Sequence, residues 1–159
     1  PLLMRVLGVD PGYDRLRVAV VERADGCETV LFSTCIETAK HDSLPERLST
    51  AGGELTALLK EYQPSILGVE TLFFNKNVKT AIAVAQARGM ILYLARQHQC
   101  QVCELSPQEI KIATTGHGGS DKTAVTNMVK RLARGVPETA LDDEYDAIAV
   151  AITTLAHHQ

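Results

Sequence analysis

Two short apolar segments of this sequence end in the same way, with an acidic residue. Leu7-Gly8-Val9-Asp10 and Leu67-Gly68-Val69-Glu70 are each an apolar run closed by a carboxylate. If the two runs are neighbouring parallel strands, their ends lie about 4.8 Å apart and the carboxylates converge at one edge of a sheet. Ligand sites in open α/β sheets lie at this edge. The pattern therefore predicts a site that contains Asp10 and Glu70.

A second group of acids precedes the last apolar segment, residues 147–152. Asp143 and Asp146 are three residues apart and share one face of a helix, and Asp142 and Asp146, four apart, do so as well. Acids at a helix N-terminus complement the helix dipole, which explains one or two of them. It does not explain Asp146, because an isolated charge directly beside an apolar run is costly. We expect Asp146, with Asp142 or Asp143, to join the sheet-edge acids.

Three or four carboxylates at one point imply bound cations. Such groups raise each other's pKa unless positive charge is present. Ligand sets made only of oxygen suit Mg²⁺ or Mn²⁺. Two such ions about 3.5–4 Å apart can hold the attacking and leaving oxygens of a phosphodiester in line. The acids therefore predict metal-dependent phosphodiester hydrolysis.

Basic residues are concentrated in one part of the chain. The formal net charge is −3, which by itself argues weakly against a nucleic-acid partner. Residues 71–134 nevertheless hold nine Lys or Arg and three Asp or Glu, a balance of +6, while the remainder carries −9. A chain that separates its charges in this way can present a basic surface beside an acidic site. The distribution favours a nucleic-acid substrate.

The segments that carry these residues alternate between strand-like and helix-like patterns. With 159 residues the chain has the length of one domain, which we assign to residues 1–159. Strands are predicted over 5–10, 17–22, 28–37, 65–70 and 101–105, and helices over 44–62, 78–98, 107–113, 121–134 and 142–157. The order predicts an α/β fold with a five-stranded mixed sheet, three antiparallel strands followed by two parallel additions, flanked by helices.

Neither a membrane span nor a secretory signal is predicted. The longest uninterrupted apolar run is six residues, whereas a membrane helix needs about 18. Arg5 interrupts the apolar start, and no small-residue cleavage site is present. Cys100-x-x-Cys103 has the spacing of half a zinc site, but Cys27 and Cys35 do not supply a second pair, and the cysteines fit reduced thiols. We therefore expect a cytoplasmic protein with no membrane partner.

Five short motifs follow one another in the order found in one nuclease family. They are Gly8-Val9-Asp10-Pro11-Gly12; Val69-Glu70 with Phe73 and Asn75-Lys76-Asn77; Gln86-Ala87-Arg88-Gly89; Gly116-x-Gly118 with Lys122; and Asp143-x-x-Asp146-Ala147-x-Ala149-x-Ala151-Ile152. Each motif alone is weak, but five in register over nearly the whole chain are strong. The sequence resembles the RuvC family of Holliday junction resolvases, the crossover junction endodeoxyribonucleases.

The resemblance implies a fold, a reaction and partners. It implies an RNase H-like fold and a homodimer that makes two symmetric incisions across a four-way DNA junction in recombination and DNA repair. It implies that Asp10, Glu70, Asp143 and Asp146 bind the metal, two ions of Mg²⁺ or Mn²⁺ per active site, and it selects Asp143 over Asp142. It also implies junction-binding and branch-migration motor proteins of the RuvA/RuvB type as partners.

Further residues match family positions one at a time. The resemblance places Lys122 near the scissile phosphate as a catalytic residue and makes Lys111 a phosphate contact. It makes Phe73 an aromatic that contacts bases at the crossover, and Arg88 a DNA contact. Phe74, Asn75 and Lys76 adjoin Phe73 just past a strand end, a setting that suits stacking on unpaired bases.

The chain departs from the family pattern in one turn. The family's small turn that contains Thr-Gly is replaced here by Tyr13-Asp14-Arg15-Leu16-Arg17, which puts the shape of the first hairpin in doubt.

Three other functions are alternatives to a junction resolvase. Another RNase H-like nuclease, acting on hybrids or flaps, would keep the same acids. An actin-like ATP-binding protein needs two lobes, and a non-catalytic junction-binding module would not need all four acids.

Overall fold

The chain folds as three strands followed by alternating helices and strands. The computed structural model describes residues 3–71 and 78–158. The elements in chain order are β1 (Met4–Pro11), β2 (Arg15–Ala24), β3 (Cys27–Glu37), α1 (Leu44–Tyr62), β4 (Ile66–Glu70), α2 (Val78–Gln97), β5 (Gln101–Leu105), α3 (Pro107–Thr115), α4 (Lys122–Leu132), β6 (Ala133–Arg134) and α5 (Asp142–His157). The predicted α/β order is confirmed.

Two tight turns connect the first three strands into an antiparallel meander. Between β2 and β3, Asp25 and Gly26 have φ of 51° and 75°; this pair of positive angles is typical of two-residue hairpin turns, in which glycine adopts such angles without strain. Between β1 and β2, the N–H of Gly12 donates to the carbonyl of Arg15 at 2.9 Å. The first hairpin therefore closes tightly with its unusual turn residues.

The described residues form a six-stranded sheet in the order β5-β4-β1-β2-β3-β6. β4 pairs parallel with β1, and β5 pairs parallel with β4, as predicted. The predicted count of five strands is wrong by one, because Ala133 and Arg134 leave the expected 121–134 helix and pair parallel with β3. A strand of two residues is too short to show a period-two pattern in the sequence.

Side chains alternate between the two faces of the sheet, and each face carries its own core. On β1, Leu7 and Val9 pack with α1 and α2. Val6 packs on the opposite face, with α3, α4 and α5. Because alternate residues share a face, Asp10 lies on the same side as Val6, the side that α5 covers.

Two glycines let α5 lie directly on the sheet. A Cβ at Gly8 of β1 would stand 2.6 Å from the backbone nitrogen of Ala151, and a Cβ at Gly68 of β4 would overlap the Thr154 hydroxyl. Real side chains do not approach this closely, so both positions require glycine. The contact fixes α5 over the two strands that end in Asp10 and Glu70.

Helix α2 is long and apolar, yet little of it is covered. By length and composition it is the one helix among the described residues that could cross a membrane, and 17% of that window is buried. The prediction of no span relied on uninterrupted apolar runs, which the polar residues scattered along this helix break up. Val78, Ile82 and Tyr93 are 68%, 52% and 63% exposed. They leave an apolar surface without a partner in the monomer.

Candidate active site

Asp10 and Glu70 stand side by side at one edge of the sheet. β1 and β4 are parallel with Val9 opposite Val69, so the acid that follows each valine lies at the same level. Both residues project on the α5 side, where they follow Gly8 and Gly68 in the alternation. The Asp10 side chain is 13% exposed. The predicted convergence of the two strand ends is present.

The N-terminus of α5 brings the remaining acids to this edge. Glu144 anchors the helix start: its carboxylate accepts from the N–H of Leu141 at 2.9 Å and from the Ser33 hydroxyl of β3 at 2.6 Å. Asp143 and Asp146 are half-buried toward the sheet, whereas Asp142 is exposed. The helix therefore presents Asp143 rather than Asp142 to the site.

A cavity of about 290 Å³ joins three of the acids to two lysines. The lining includes Asp10, Glu70, Asp146, Lys111 and Lys122. The Nζ of Lys122, at the start of α4, lies 3.3 Å from Asp146 Oδ2. Lys111 lies on α3, whose start is fixed by reciprocal hydrogen bonds between Ser106 and Glu109. The cavity is thus lined by acids from β1, β4 and α5 and by lysines from α3 and α4.

Two arginines that sequence reasoning did not assign to the site also reach it. Arg17 of β2 is the register partner of Asp10, and its guanidinium lies 3.0 Å from Asp10 Oδ2 and 3.2 Å from Asp143 Oδ1. Arg15 lies 2.7 Å from Asp143 Oδ2. The spacing of Arg15 and Arg17 in the sequence could have indicated their place in the site. Residues two apart on a strand share a face, and a tight turn connects their strand to the one that carries Asp10.

The charges of these groups shift one another's pKa. Burial, followed by the charge of Asp10, raises the pKa of Glu70 to about 8. Burial also raises the pKa of Asp146, although Lys122 opposes it. The hydrogen bond from Arg15 lowers the pKa of Asp143 below its ordinary value. The charge of Asp143 is therefore balanced by arginine, whereas Glu70 has too little positive charge beside it.

The donor set suits a hard divalent cation, because every candidate ligand is a carboxylate oxygen. With the side chains in their present positions, residues 3–71 and 78–158 contain no group of three or more His, Cys, Asp or Glu arranged to hold a metal ion. Arg15, Arg17 and Lys122 instead contact oxygens of Asp10, Asp143 and Asp146. A cation bound by these acids would compete with the three basic side chains for the same carboxylates.

The remaining predicted DNA contacts lie in different settings. Phe73, Phe74, Asn75 and Lys76 fall outside the described residues. Arg88 of α2 forms an ion pair with Glu104 of β5 at 3.0 Å, and its side chain is 17% exposed. An arginine already paired within the protein has less charge to offer a phosphate, and its contact with DNA stays a prediction.

Comparison with known proteins supports one family. The family model described as Crossover junction endodeoxyribonuclease RuvC matches residues 6–154. A protein of that name from Thermosipho melanesiensis is 41% identical over 148 residues, which cover 93% of this chain and 94% of the relative. Another from Roseiflexus sp. is 39% identical over 93% of this chain and 88% of the relative.

A solved structure agrees with the sequence relatives. Thermus thermophilus RuvC in complex with Holliday junction substrate superposes with a TM-score of 0.90 at 26% identity, covering 98% of this chain and 94% of that one. The RNase H-like architecture predicted from the motifs is therefore confirmed. The chain belongs to the RuvC family of crossover junction endodeoxyribonucleases.

Proposed function

We propose that this protein resolves four-way DNA junctions by metal-dependent hydrolysis of phosphodiester bonds, in recombination and DNA repair. One observation carries the proposal: Asp10, Glu70 and Asp146 share a cavity with Lys111 and Lys122. Acids and lysines facing each other across one cavity suit a phosphate bound between metal and ammonium groups. The chain is one nuclease domain in this proposal.

Asp10, Glu70, Asp143 and Asp146 would hold divalent metal, two ions of Mg²⁺ or Mn²⁺. The raised pKa of Glu70 supports this assignment, because it reflects burial of the carboxyl group, followed by the nearby charge of Asp10, without enough positive charge beside them. Bound metal would supply charge stabilisation for the in-line displacement at phosphorus. Asp10 is hydrogen-bonded to Glu70. It is also linked to Asp143, because the guanidinium of Arg17 contacts both of these acids.

The two lysines have different tasks in this proposal. Lys122 stands 3.3 Å from Asp146, next to the proposed ligands, where its ammonium can contact the phosphate that is cut. Lys111 lines the cavity from α3 and would hold a phosphate of the bound strand. Phe73, Phe74, Asn75 and Lys76 would contact bases and phosphates at the crossover, and Arg88 would add a contact once released from Glu104.

The proposed active form is a homodimer that uses the exposed face of α2. Val78, Ile82, Gly89 and Tyr93 fall on one stripe of the helix, and all four are exposed. Two opposed cuts across a junction need two active sites of matching polarity, which a two-fold axis supplies. The apolar composition of α2 is explained by a second copy of the chain.

From the family resemblance we propose that the protein acts with junction-binding and branch-migration motor proteins of the RuvA/RuvB type. Its four free cysteines suit a reducing compartment, so we propose a cytoplasmic location.

A comparison of substrates tests the proposal directly. The protein is incubated with Mg²⁺ or Mn²⁺ and with a synthetic four-way junction, a linear duplex, an RNA/DNA hybrid or a flapped duplex. We expect paired nicks in the junction at symmetric positions and little cleavage of the other three. Preferential cleavage of the hybrid or the flap would instead assign the site to another RNase H-like activity.

A further inference from the structure

Arg17 makes a contact that links two acids from different elements. It lies on β2 opposite Asp10, and its two terminal nitrogens lie 3.0 Å from Asp10 Oδ2 and 3.2 Å from Asp143 Oδ1. One acid ends β1 and the other begins α5. The guanidinium therefore ties the sheet edge to the helix N-terminus through charge-assisted hydrogen bonds.

A divalent ion held by the same two acids would compete with this guanidinium. Asp143 already has both oxygens engaged, Oδ1 by Arg17 and Oδ2 by Arg15. A metal ion beside Asp10 and Asp143 would meet the positive charge of Arg17 at close range, where like charges repel strongly. The ion and Arg17 would therefore compete for these two carboxylates.

The hydrogen bonding of the Arg17 side chain is also incomplete. Its Nε is buried and has no hydrogen-bond partner within the described part of the chain. A buried donor without a partner carries a desolvation cost. The ion pairs of the terminal nitrogens hold the side chain in place, so loss of those pairs to a metal ion would release it.

We propose that Arg17 is an internal counter-ion that holds Asp10 and Asp143 together in the metal-free enzyme and is displaced when divalent metal binds. This inference rests on the proposed function, since it takes Asp10 and Asp143 as metal ligands. Arg17 then has two effects: it stabilises the metal-free fold, and it weakens metal binding. A positioning residue of this kind keeps Asp10 and Asp143 together while no metal is bound.

Calorimetric titration of the metal-free protein with Mn²⁺ tests the proposal, together with thermal unfolding in chelator and in Mg²⁺. Arg17→Met should bind Mn²⁺ about tenfold more tightly, a change of about one decade in Kd. Its Tm should fall in chelator and should gain more from Mg²⁺ than the wild-type Tm does, because tighter binding to the native state adds more stability. Arg17→Gln, which removes the charge and keeps a polar side chain, serves if Arg17→Met does not fold, and should also bind Mn²⁺ more tightly.

Arg23→Met is the matched control. Arg23 lies on the same strand and is paired with Glu28 at 2.6 Å, at the far end of β2. This variant should lower the Tm in chelator and leave the Kd for Mn²⁺ unchanged. An unchanged or weaker Mn²⁺ affinity in both Arg17 variants would overturn the proposal.

Glu70→Gln separates this result from a failure of the proposed metal site. Loss of Mn²⁺ binding in Glu70→Gln, with no change in the Arg17 variants, would overturn the role of Arg17 alone. Unchanged Mn²⁺ binding in Glu70→Gln would remove the metal site, and the inference with it. If Arg17 is instead a phosphate ligand, Arg17→Met loses junction affinity while Mn²⁺ binding stays constant, and this also overturns the proposal.

Discussion

At the residue scale, Lys111 and Lys122 line one cavity but stand differently toward the acids. Lys122 is 3.3 Å from Asp146, and Lys111 lies on the neighbouring helix. We expect Lys122→Ala to lower the single-turnover rate at saturating protein by about 100-fold, as loss of one donor to the transition state does. Lys111→Ala should mainly weaken junction binding and reduce the salt dependence of binding by about one counterion.

Single-turnover cleavage and equilibrium binding across a salt series measure these two effects separately. The wild-type protein under the same salt conditions is the reference. Equal losses of affinity with unchanged rates in both variants would remove Lys122 from the catalytic residues.

Glu70 makes the stability of the metal-free protein depend on pH. Its pKa is about 8 in the folded chain against an ordinary value of 4.5, so the folded state binds more protons between these values. The free energy of unfolding therefore falls as pH rises from about 4.5 to about 8. In the same range the affinity for metal rises, because the carboxylate must lose its proton to bind.

Denaturant unfolding in chelator across that pH range checks the prediction. Glu70→Gln should flatten most of the pH dependence, with a smaller part left from Asp146, whose pKa is also raised by burial. A stability that increases with pH, or a pH dependence that Glu70→Gln leaves intact, would contradict it.

The acids of the site were predictable from local sequence, whereas the pairing of Arg17 with Asp10 also required the register of the first hairpin. Asp10 and Glu70 stand out because each closes an apolar run, and Asp146 because it adjoins one. The pairing of Arg17 with Asp10 depends on the register of the first hairpin. The turn sets that register, and a shift of one residue would turn Arg17 to the other face.

At the element scale, the contact of α5 with β1 positions the two pairs of acids. A Cβ at Gly8 would meet the backbone of α5, including the nitrogen of Ala151 at 2.6 Å. Gly8→Ala should therefore lower the free energy of unfolding by about 1–3 kcal/mol, the usual cost of overpacking. It should also slow cleavage, because a displaced α5 would move Asp143 and Asp146 away from β1.

Gly53→Ala is the control, since a Cβ at Gly53 of α1 has nothing within 4 Å. Replacing a helical glycine in open space should raise stability by about 0.5–1 kcal/mol. Denaturant unfolding of both variants measures the difference. Similar stability changes in the two would mean that the close packing of α5 on β1 is not what holds the acids in place.

Local sequence patterns predicted whether a segment is a helix or a strand where the pattern extends over many residues. Ser43 and Glu46 form the reciprocal hydrogen bonds typical of a Ser followed three residues later by Glu at a helix start, and Asp25-Gly26, residue types common in turns, joins β2 to β3. β6 escaped prediction because its two residues become a strand only by pairing with Glu28 and Thr29. That pairing is set by tertiary contact, which local sequence does not encode.

At the scale of the whole molecule, the exposed face of α2 predicts self-association. Ile82 is 52% exposed on that face, and Ile112 of α3 is 51% exposed elsewhere. Sedimentation equilibrium at micromolar protein should give about twice 17.2 kDa for the wild type. Ile82→Asp should sediment as a monomer, because it places a charge in an apolar interface.

Ile112→Asp is the matched control and should remain dimeric. The monomeric variant should nick junctions without pairing its cuts. A wild-type protein that is monomeric both free and on the junction would contradict the dimer.

Junction cleavage by the acid variants tests the central claim most directly, the claim that these carboxylates and a divalent metal cut a four-way junction. Wild type, Asp10→Asn and Asp146→Asn are compared for cleavage in Mg²⁺ and for junction binding in chelator. We predict that each variant loses orders of magnitude in cleavage rate while its junction affinity stays close to that of the wild type, because phosphate contacts come from other residues. Near-full cleavage by Asp10→Asn, or wild-type cleavage without metal, would contradict the account.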